Sequence, residues 1–245
     1  MGSRIERKPP VVTVDGPSGT GKGTLAQRLA LTLGWHYLDS GALYRAVGWA
    51  ALECDLDPGD EVALMDFLSS LNIAIEVAAS GDVVVVCQGM EVSSLIRQES
   101  VGMAASQLSS NVMIRNHLFE LQRSFRQGPG LVTDGRDMGT VIFPDAQFKV
   151  YLEASLQAQA QRRYKQLQQR GINANFAQIE ADLIRRDQRD RERAASPTMP
   201  AADARVIDTT HMAVDEVFNS VLRLVQAGLA QGVSDGRERD LQGDT

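Results

Sequence analysis

The chain has 245 residues, 43% of them hydrophobic, and a formal net charge of −6. That length supports one α/β domain with a smaller appendage, and the hydrophobic share excludes a wholly disordered protein. The negative balance argues against a nucleic-acid partner held by phosphate contacts. Residues 1–10 lack the apolar core of a signal peptide and no apolar run is long enough to span a bilayer, so a cytoplasmic protein with no membrane partner is expected.

The first predicted strand is Val11-Val12-Thr13-Val14. It leads through Gly16-Pro17-Ser18-Gly19-Thr20-Gly21-Lys22-Gly23-Thr24 into a helix from Lys22 to Leu33, with Leu25, Leu29 and Leu33 on one face and Gly34 as its stop. The same glycines in isolation would mark an ordinary turn. Between a buried strand and a helix they form a phosphate cradle, in which backbone N–H groups converge on a polyphosphate and Lys22 brings an ammonium to its β- and γ-phosphates. Binding of a nucleoside triphosphate is therefore predicted. Gly23 stands where most such loops carry a Mg²⁺-binding hydroxyl, and Thr24 supplies that hydroxyl one residue late.

A second short strand is expected at Trp35-His36-Tyr37-Leu38. Asp39-Ser40-Gly41 then opens a helix with Leu43, Val47 and Ala51 inward, and Pro58-Gly59 closes the section. Residues 71–92 change character: Ile73, Ile75 and Val77 alternate with polar neighbours, and Val83-Val84-Val85-Val86 follows a Ser80-Gly81-Asp82 turn. This predicts a small antiparallel sheet inside an inserted subdomain over residues 67–105. Helix returns from Ser94 and again over residues 111–127, stopped by Gly128-Pro129-Gly130.

Three more strands are predicted at Leu131-Val132-Thr133-Asp134, Phe148-Lys149-Val150-Tyr151-Leu152 and Arg205-Val206-Ile207-Asp208, making five in all and a parallel sheet wrapped by helices. Two charged helices, residues 155–170 and 175–193, lie between the last two strands, and a helix from Val214 to Leu229 closes the fold. The expected division is a core of residues 9–66 and 106–231, a lid of about 155–193, the insert, and loose termini at 1–8 and 232–245. Cys54 and Cys87 have no CxxC spacing, so two reduced thiols packed as small hydrophobes are expected.

Three further clusters carry chemistry. Asp134-Gly135-Arg136-Asp137-Met138-Gly139-Thr140 follows a strand end, the edge at which open parallel sheets bind ligands. It is either a salt-bridged turn or a site in which Asp134 holds Mg²⁺ through water while Arg136 and Asp137 face a second substrate. Asp39-Ser40-Gly41-Ala42-Leu43-Tyr44-Arg45 is either an N-cap with a surface arginine or a phosphate-monoester site. In Arg185-Arg186-Asp187-Gln188-Arg189-Asp190-Arg191-Glu192-Arg193, a solvated helix would pair Asp187 with Arg191. Arg186, Asp190 and Arg193 nevertheless share one helical face, and with Arg162 and Arg163 they suggest a basic lid.

Jointly these motifs, over residues 11–229, resemble the bacterial cytidylate kinase family, whose enlarged monophosphate-binding domain the insert matches. The resemblance implies a five-stranded P-loop kinase core, transfer from ATP to CMP or dCMP, and Mg²⁺ dependence. By position it implies catalytic roles for Lys22, Arg186 and Arg193, and contact with ATP for residues 16–24 and Arg162. Ser40, Arg45 and Arg136 then resemble the residues on the CMP phosphate, Ser106, Arg115 and Asp137 the cytosine readers, Asp190 the ribose ligand, and Tyr44 a further substrate contact. The metal would fall to Asp134, through water, with Thr24 as a displaced candidate. A monomer is expected. The histidines, His36, His117 and His211, are expected to be structural or exposed. Within enzymes the rival is another small-molecule kinase, such as an adenylate, uridylate or shikimate kinase. In another class it is a nucleotide-dependent switch, which Gly23 and the lack of a guanine-reading Asn-Lys-x-Asp count against.

Overall fold

The computed structural model describes residues 8–77, 83–169 and 171–242. Strands β1 (Val11–Asp15), β2 (His36–Asp39), β6 (Leu131–Gly135), β7 (Phe148–Glu153) and β8 (Arg205–Asp208) form a five-stranded sheet. Their order is β2-β6-β1-β7-β8 and every pairing is parallel, with Val12 opposite both Val132 and Phe148. Such strands are covered on both faces, which explains why β1 reads as an unbroken apolar run. On one side, Val12, Val14, Val132 and Val150 pack against Leu25 and Leu29 of helix α1 (Lys22–Leu33) and Phe218, Val221 and Val225 of helix α8 (Val214–Gln242). On the other, Val11, Leu38 and Leu131 meet Leu43, Met138, Ile142 and Phe143. Each fully buried aliphatic side chain contributes about 1.5–3 kcal/mol. Because all five strands run the same way, Asp15, Asp39, Asp134 and Glu153 come to one edge.

The insert forms its own sheet. Strands β3 (Ile73–Val77), β4 (Val83–Cys87) and β5 (Met90–Glu91) are antiparallel neighbours in that order. Val85 and Cys87 pack on Ala42, Ala46 and Ala50 of helix α2 (Ser40–Glu53). The expected Ser80-Gly81-Asp82 turn lies outside the described residues, as do residues 1–7 and 243–245 of the expected loose termini and Arg170 at the end of the first lid helix.

Some expectations are corrected. Residues 61–70, to which the sequence reading assigned no element, form helix α3 (Glu61–Ser70): Asp60 Oδ1 accepts from Val62 N and Ala63 N, and Leu64 and Leu68 are buried. Cys54 is exposed at the end of α2 rather than packed; Cys87 is buried. The closing helix continues through Gln242, since the chain after Gly232 is polar but contains no proline to stop it. The helix expected from Ser94 is a short 3-10 turn (Leu95–Arg97) followed by α4 (Glu99–Leu108), and α5 spans Val112–Ser124. Strand β6 runs into a single π-helical turn, Met138–Ile142, which the sequence did not signal.

The lid is helices α6 (Leu156–Gln169) and α7 (Phe176–Glu192). Its own core is small, consisting of Ala160, Ile179 and Leu183 with Tyr164 edge-on to Phe176 at 6.0 Å. So little shared apolar surface suits a unit that opens and closes. Among the described residues, no helix is long and apolar enough to cross a membrane.

Candidate active site

The loop from Gly16 to Gly21 turns beneath the carboxyl end of β1. At Gly16 the backbone φ is +148°, and a Cβ there would lie 2.3 Å from the Leu152 carbonyl oxygen, so only glycine fits. Lys22 Nζ donates to the Pro17 carbonyl at 2.9 Å and therefore curls over the loop. Burial, then the neighbouring Arg136, pushes its ammonium down to about 7. Across from it, Asp134 at the end of β6 accepts from the Tyr37 phenol at 2.7 Å through Oδ1. Burial and Asp39 push this carboxyl up to about 7. Its Oδ2 lies 3.8 Å from where a Cβ on Gly23 would be.

Asp15 joins the phosphate loop to the second cluster. Its two carboxylate oxygens accept from the backbone N–H groups of Met138 (2.9 Å) and Gly139 (2.8 Å), the residues that follow Asp137. Burial outweighs these bonds and pushes the Asp15 carboxyl up to about 6.

The second half of the site begins at α2. Asp39 caps that helix by accepting from Ala42 N at 3.0 Å, and Ser40 Oγ donates to the Asp134 carbonyl at 2.8 Å. Arg45 Nη1 donates to the Ile96 and Gln98 carbonyls at 2.9 and 3.3 Å. Gly102 leaves room for it, because a Cβ there would come within 2.8 Å of both guanidinium nitrogens. Asp137 and Arg115 are a buried ion pair, and Arg115 also donates to the Ser109 carbonyl at 3.2 Å and lies over the Tyr44 ring.

The lid closes over these groups. Arg136 Nε donates to Asp190 at 2.9 Å and Arg136 Nη2 to Ser18 Oγ at 2.7 Å, so one guanidinium bridges phosphate loop and lid. Burial alone would weaken its hold on a proton, but Asp190 and Asp187 outweigh that and push it up. Asp187, which the solvated-helix alternative would pair with Arg191, turns inward and accepts from the Ser18 backbone N–H at 3.2 Å. Its helix face is decided by burial against the loop, which i,i+4 spacing cannot reveal. Arg189 Nη1 donates to Ser106 Oγ at 2.6 Å, and Arg163 pairs with Glu99 at 2.7 Å. Arg193 Nη2 stands 3.8 Å from Asp137 Oδ1, beyond hydrogen-bond range. Among the described residues, Arg186 Nε and Arg193 Nη2 are buried with no hydrogen-bond partner. Unpaired cationic donors in such a place call for an anion.

Between these elements is a cavity of about 730 Å³. Its wall includes Lys22, Arg136, Asp137, Arg186, Asp190 and Arg193, together with Ser40, Tyr44, Arg45, Ser106 and Asp134. Loop residues Ser18, Gly19, Gly21, Gly23 and Thr24 reach it; Gly16, Pro17 and Thr20 form the loop behind. Besides these three, two further expected contacts do not line it. Arg115 stands behind Asp137, and Arg162 lies against the outer side of the loop, donating to the Gly19 and Thr20 carbonyls and to Thr209 Oγ1 at 3.0 Å. Sequence reasoning missed Asp15, Tyr37, Asp187 and Arg189. The first two adjoin strand ends and were legible as polar residues at the ligand edge of the sheet, whereas the last two needed the inward face of α7.

Residues 12–227 match the cytidylate kinase family model. The chain belongs to the cytidylate kinase family. The cytidylate kinase of Aeromonas salmonicida (strain A449) is 50% identical over 220 residues, spanning 90% of this chain and 95% of that one. That of Coxiella burnetii (strain RSA 493 / Nine Mile phase I) is 48% identical over 227 residues, 92% and 96% of the two chains. A gluconokinase structure from Sinorhizobium meliloti 1021 is similar at a TM-score of 0.43 and 14% identity, covering 96% of this chain and 99% of that one, too remote to bear on activity. As a member of the cytidylate kinase family the protein is a nucleoside monophosphate kinase with ATP as phosphoryl donor.

Proposed function

We propose that the protein transfers the γ-phosphoryl group of ATP to CMP and dCMP, giving CDP or dCDP and ADP, with Mg²⁺ bound to the triphosphate, and that it works as a cytoplasmic monomer. The observation that supports this most is the arginine cluster of Arg136, Arg186 and Arg193. It lies between the phosphate loop and the Asp137 carboxylate, with two buried donors lacking hydrogen-bond partners among the described residues. An anion fits between a triphosphate on one side and a base reader on the other.

In this reading the backbone of residues 16–24 and Lys22 hold the ATP phosphates, with Arg162 bracing the loop from outside. Ser40, Arg45 and Arg136 hold the acceptor phosphate, Asp190 and Tyr44 the ribose side, and Ser106 and Asp137 the base, with Arg115 fixing Asp137. An oxygen of the acceptor phosphate forms a bond to the γ-phosphorus as the bond to the ADP oxygen breaks. That oxygen is already largely ionised at neutral pH, so no side-chain nucleophile is required. Positioning and charge neutralisation by Lys22, Arg186 and Arg193 supply the rate.

The residues fit a magnesium ion. Asp134 Oδ1 is taken by Tyr37 while Oδ2 stays open toward Gly23, and no group of three or more His, Cys, Asp or Glu among the described residues forms a complete cage. A single carboxylate beside a phosphate loop suits an ion that keeps waters and is held mainly by substrate oxygens. When bound it neutralises charge on the phosphates; Asp134 would hold it through water, with Thr24 the nearest loop hydroxyl in sequence.

Measuring ADP release with AMP, CMP, dCMP, UMP and shikimate as acceptors tests the assignment. CMP and dCMP should far outpace the rest. Equal turnover of AMP or UMP would overturn the cytidine reading.

A further inference from the structure

Arg189 is a lid arginine with no role in the reading above, yet it touches the base-reading end of the cavity. From the partly exposed side of α7 its Nη1 donates to Ser106 Oγ on α4 at 2.6 Å, and no other bond to that hydroxyl oxygen is made among the described residues. Ser106 is itself buried and lines the cavity. The same helix α4 is tied to the lid a second time by Arg163 on Glu99.

The polarity of the bond is fixed by chemistry. A guanidinium has five donors and no acceptor, so Ser106 oxygen must accept. The hydroxyl has one hydrogen, which remains free to donate into the cavity, and a cationic partner on its oxygen strengthens that donation. A pyrimidine edge that presents an acceptor there is favoured. At N3 cytosine has an acceptor where uracil carries a hydrogen, while O2 is an acceptor in both, so the donated hydroxyl separates the two bases at N3.

We propose that Arg189 is a positioning residue for base specificity: by donating to Ser106 it sets that hydroxyl as a donor toward the pyrimidine edge, so discrimination of CMP from UMP is completed only when the lid is closed. This rests on the assignment of Ser106 as a base reader. A simple latch between lid and α4 is different in kind, because it would slow every acceptor alike.

The test is a cycle in the full-length enzyme, comparing kcat/KM for CMP and UMP in wild type, Arg189→Met, Ser106→Ala and the double variant. Each single change should reduce the CMP-over-UMP ratio by about fivefold, the factor of one ordinary hydrogen bond, and the double variant should fall no further than Ser106→Ala. Because the readout is a ratio, it is independent of how much of a variant folds. A ratio moved by Ser106→Ala but untouched by Arg189→Met, or two effects that simply add, would overturn the role of Arg189 alone. Were Ser106→Ala itself to leave the ratio fixed, the base-reading assignment would fail and the route through Arg189 with it.

Discussion

Lys22 and Asp15 flank the phosphate loop, and burial shifts both toward their neutral forms. In the proposed reaction Lys22 meets the charge that develops on the β- and γ-phosphates, and a lysine replaced by alanine there would leave that charge uncompensated in a water-poor cavity. Lys22→Ala should therefore lower kcat by about 10² or more, at least about 2.7 kcal/mol of barrier, while circular dichroism shows an intact fold. Near-normal turnover would remove the phosphate-loop account. For Asp15 the folded-state carboxyl titrates at about 6 against an ordinary 3.8. The raised value means that its contribution to stability is full below the unfolded value and is lost as pH rises through the folded one. Asp15→Asn cannot ionise, so urea unfolding across pH 3.8 to about 6 should show a smaller loss of stability than in wild type, by on the order of 2–3 kcal/mol. Parallel profiles for the two proteins would contradict it.

Helix α7 carries more of the site than any other element, and its residues differ in what they do. Arg186 and Arg193 lie beside the cavity but bond to little in it, as expected of groups that engage a phosphoryl group only with the lid closed over both nucleotides. Arg186→Ala and Arg193→Ala should thus depress kcat more than they raise KM for either nucleotide. Steady-state kinetics with each substrate varied in turn checks this; unchanged kcat with weakened binding would mean a ground-state role. The same helix shows how far sequence reaches. The alignment of Arg186, Asp190 and Arg193 on one face was legible from spacing, because 3.6-residue periodicity is intrinsic to the backbone. Which way Asp187 and Arg189 turn was not, since that depends on where α7 rests against the phosphate loop and α4. Helix α3 was not legible either: its amphipathic stretch is short, and the Asp60 side chain that caps it is seen only in the structure.

At the scale of the molecule, the phosphate loop was legible because all its chemistry lies in one contiguous segment between strand and helix. The five strands were legible as apolar runs, and their parallel arrangement followed from the helices between them. Their order was not, because β6 enters between β2 and β1, and that depends on contacts more than 90 residues apart, such as Ser40 Oγ on the Asp134 carbonyl. This order brings Asp134 and Arg136 beside Lys22. Arg115, read as a direct base contact, does not line the cavity and meets its wall through Asp137, the Ser109 carbonyl and the Tyr44 ring. In the proposed reading, base choice falls chiefly to the Asp137 carboxylate. It can accept the exocyclic amino hydrogen of cytosine, but would meet O4 of uracil acceptor to acceptor. The most direct measurement is kcat/KM for CMP and for UMP in wild type and in Asp137→Asn, whose amide can turn its NH₂ toward O4. The CMP-over-UMP ratio should shrink by about tenfold or more, about 1.4 kcal/mol; an unchanged ratio would place base recognition elsewhere and contradict the cytidine assignment.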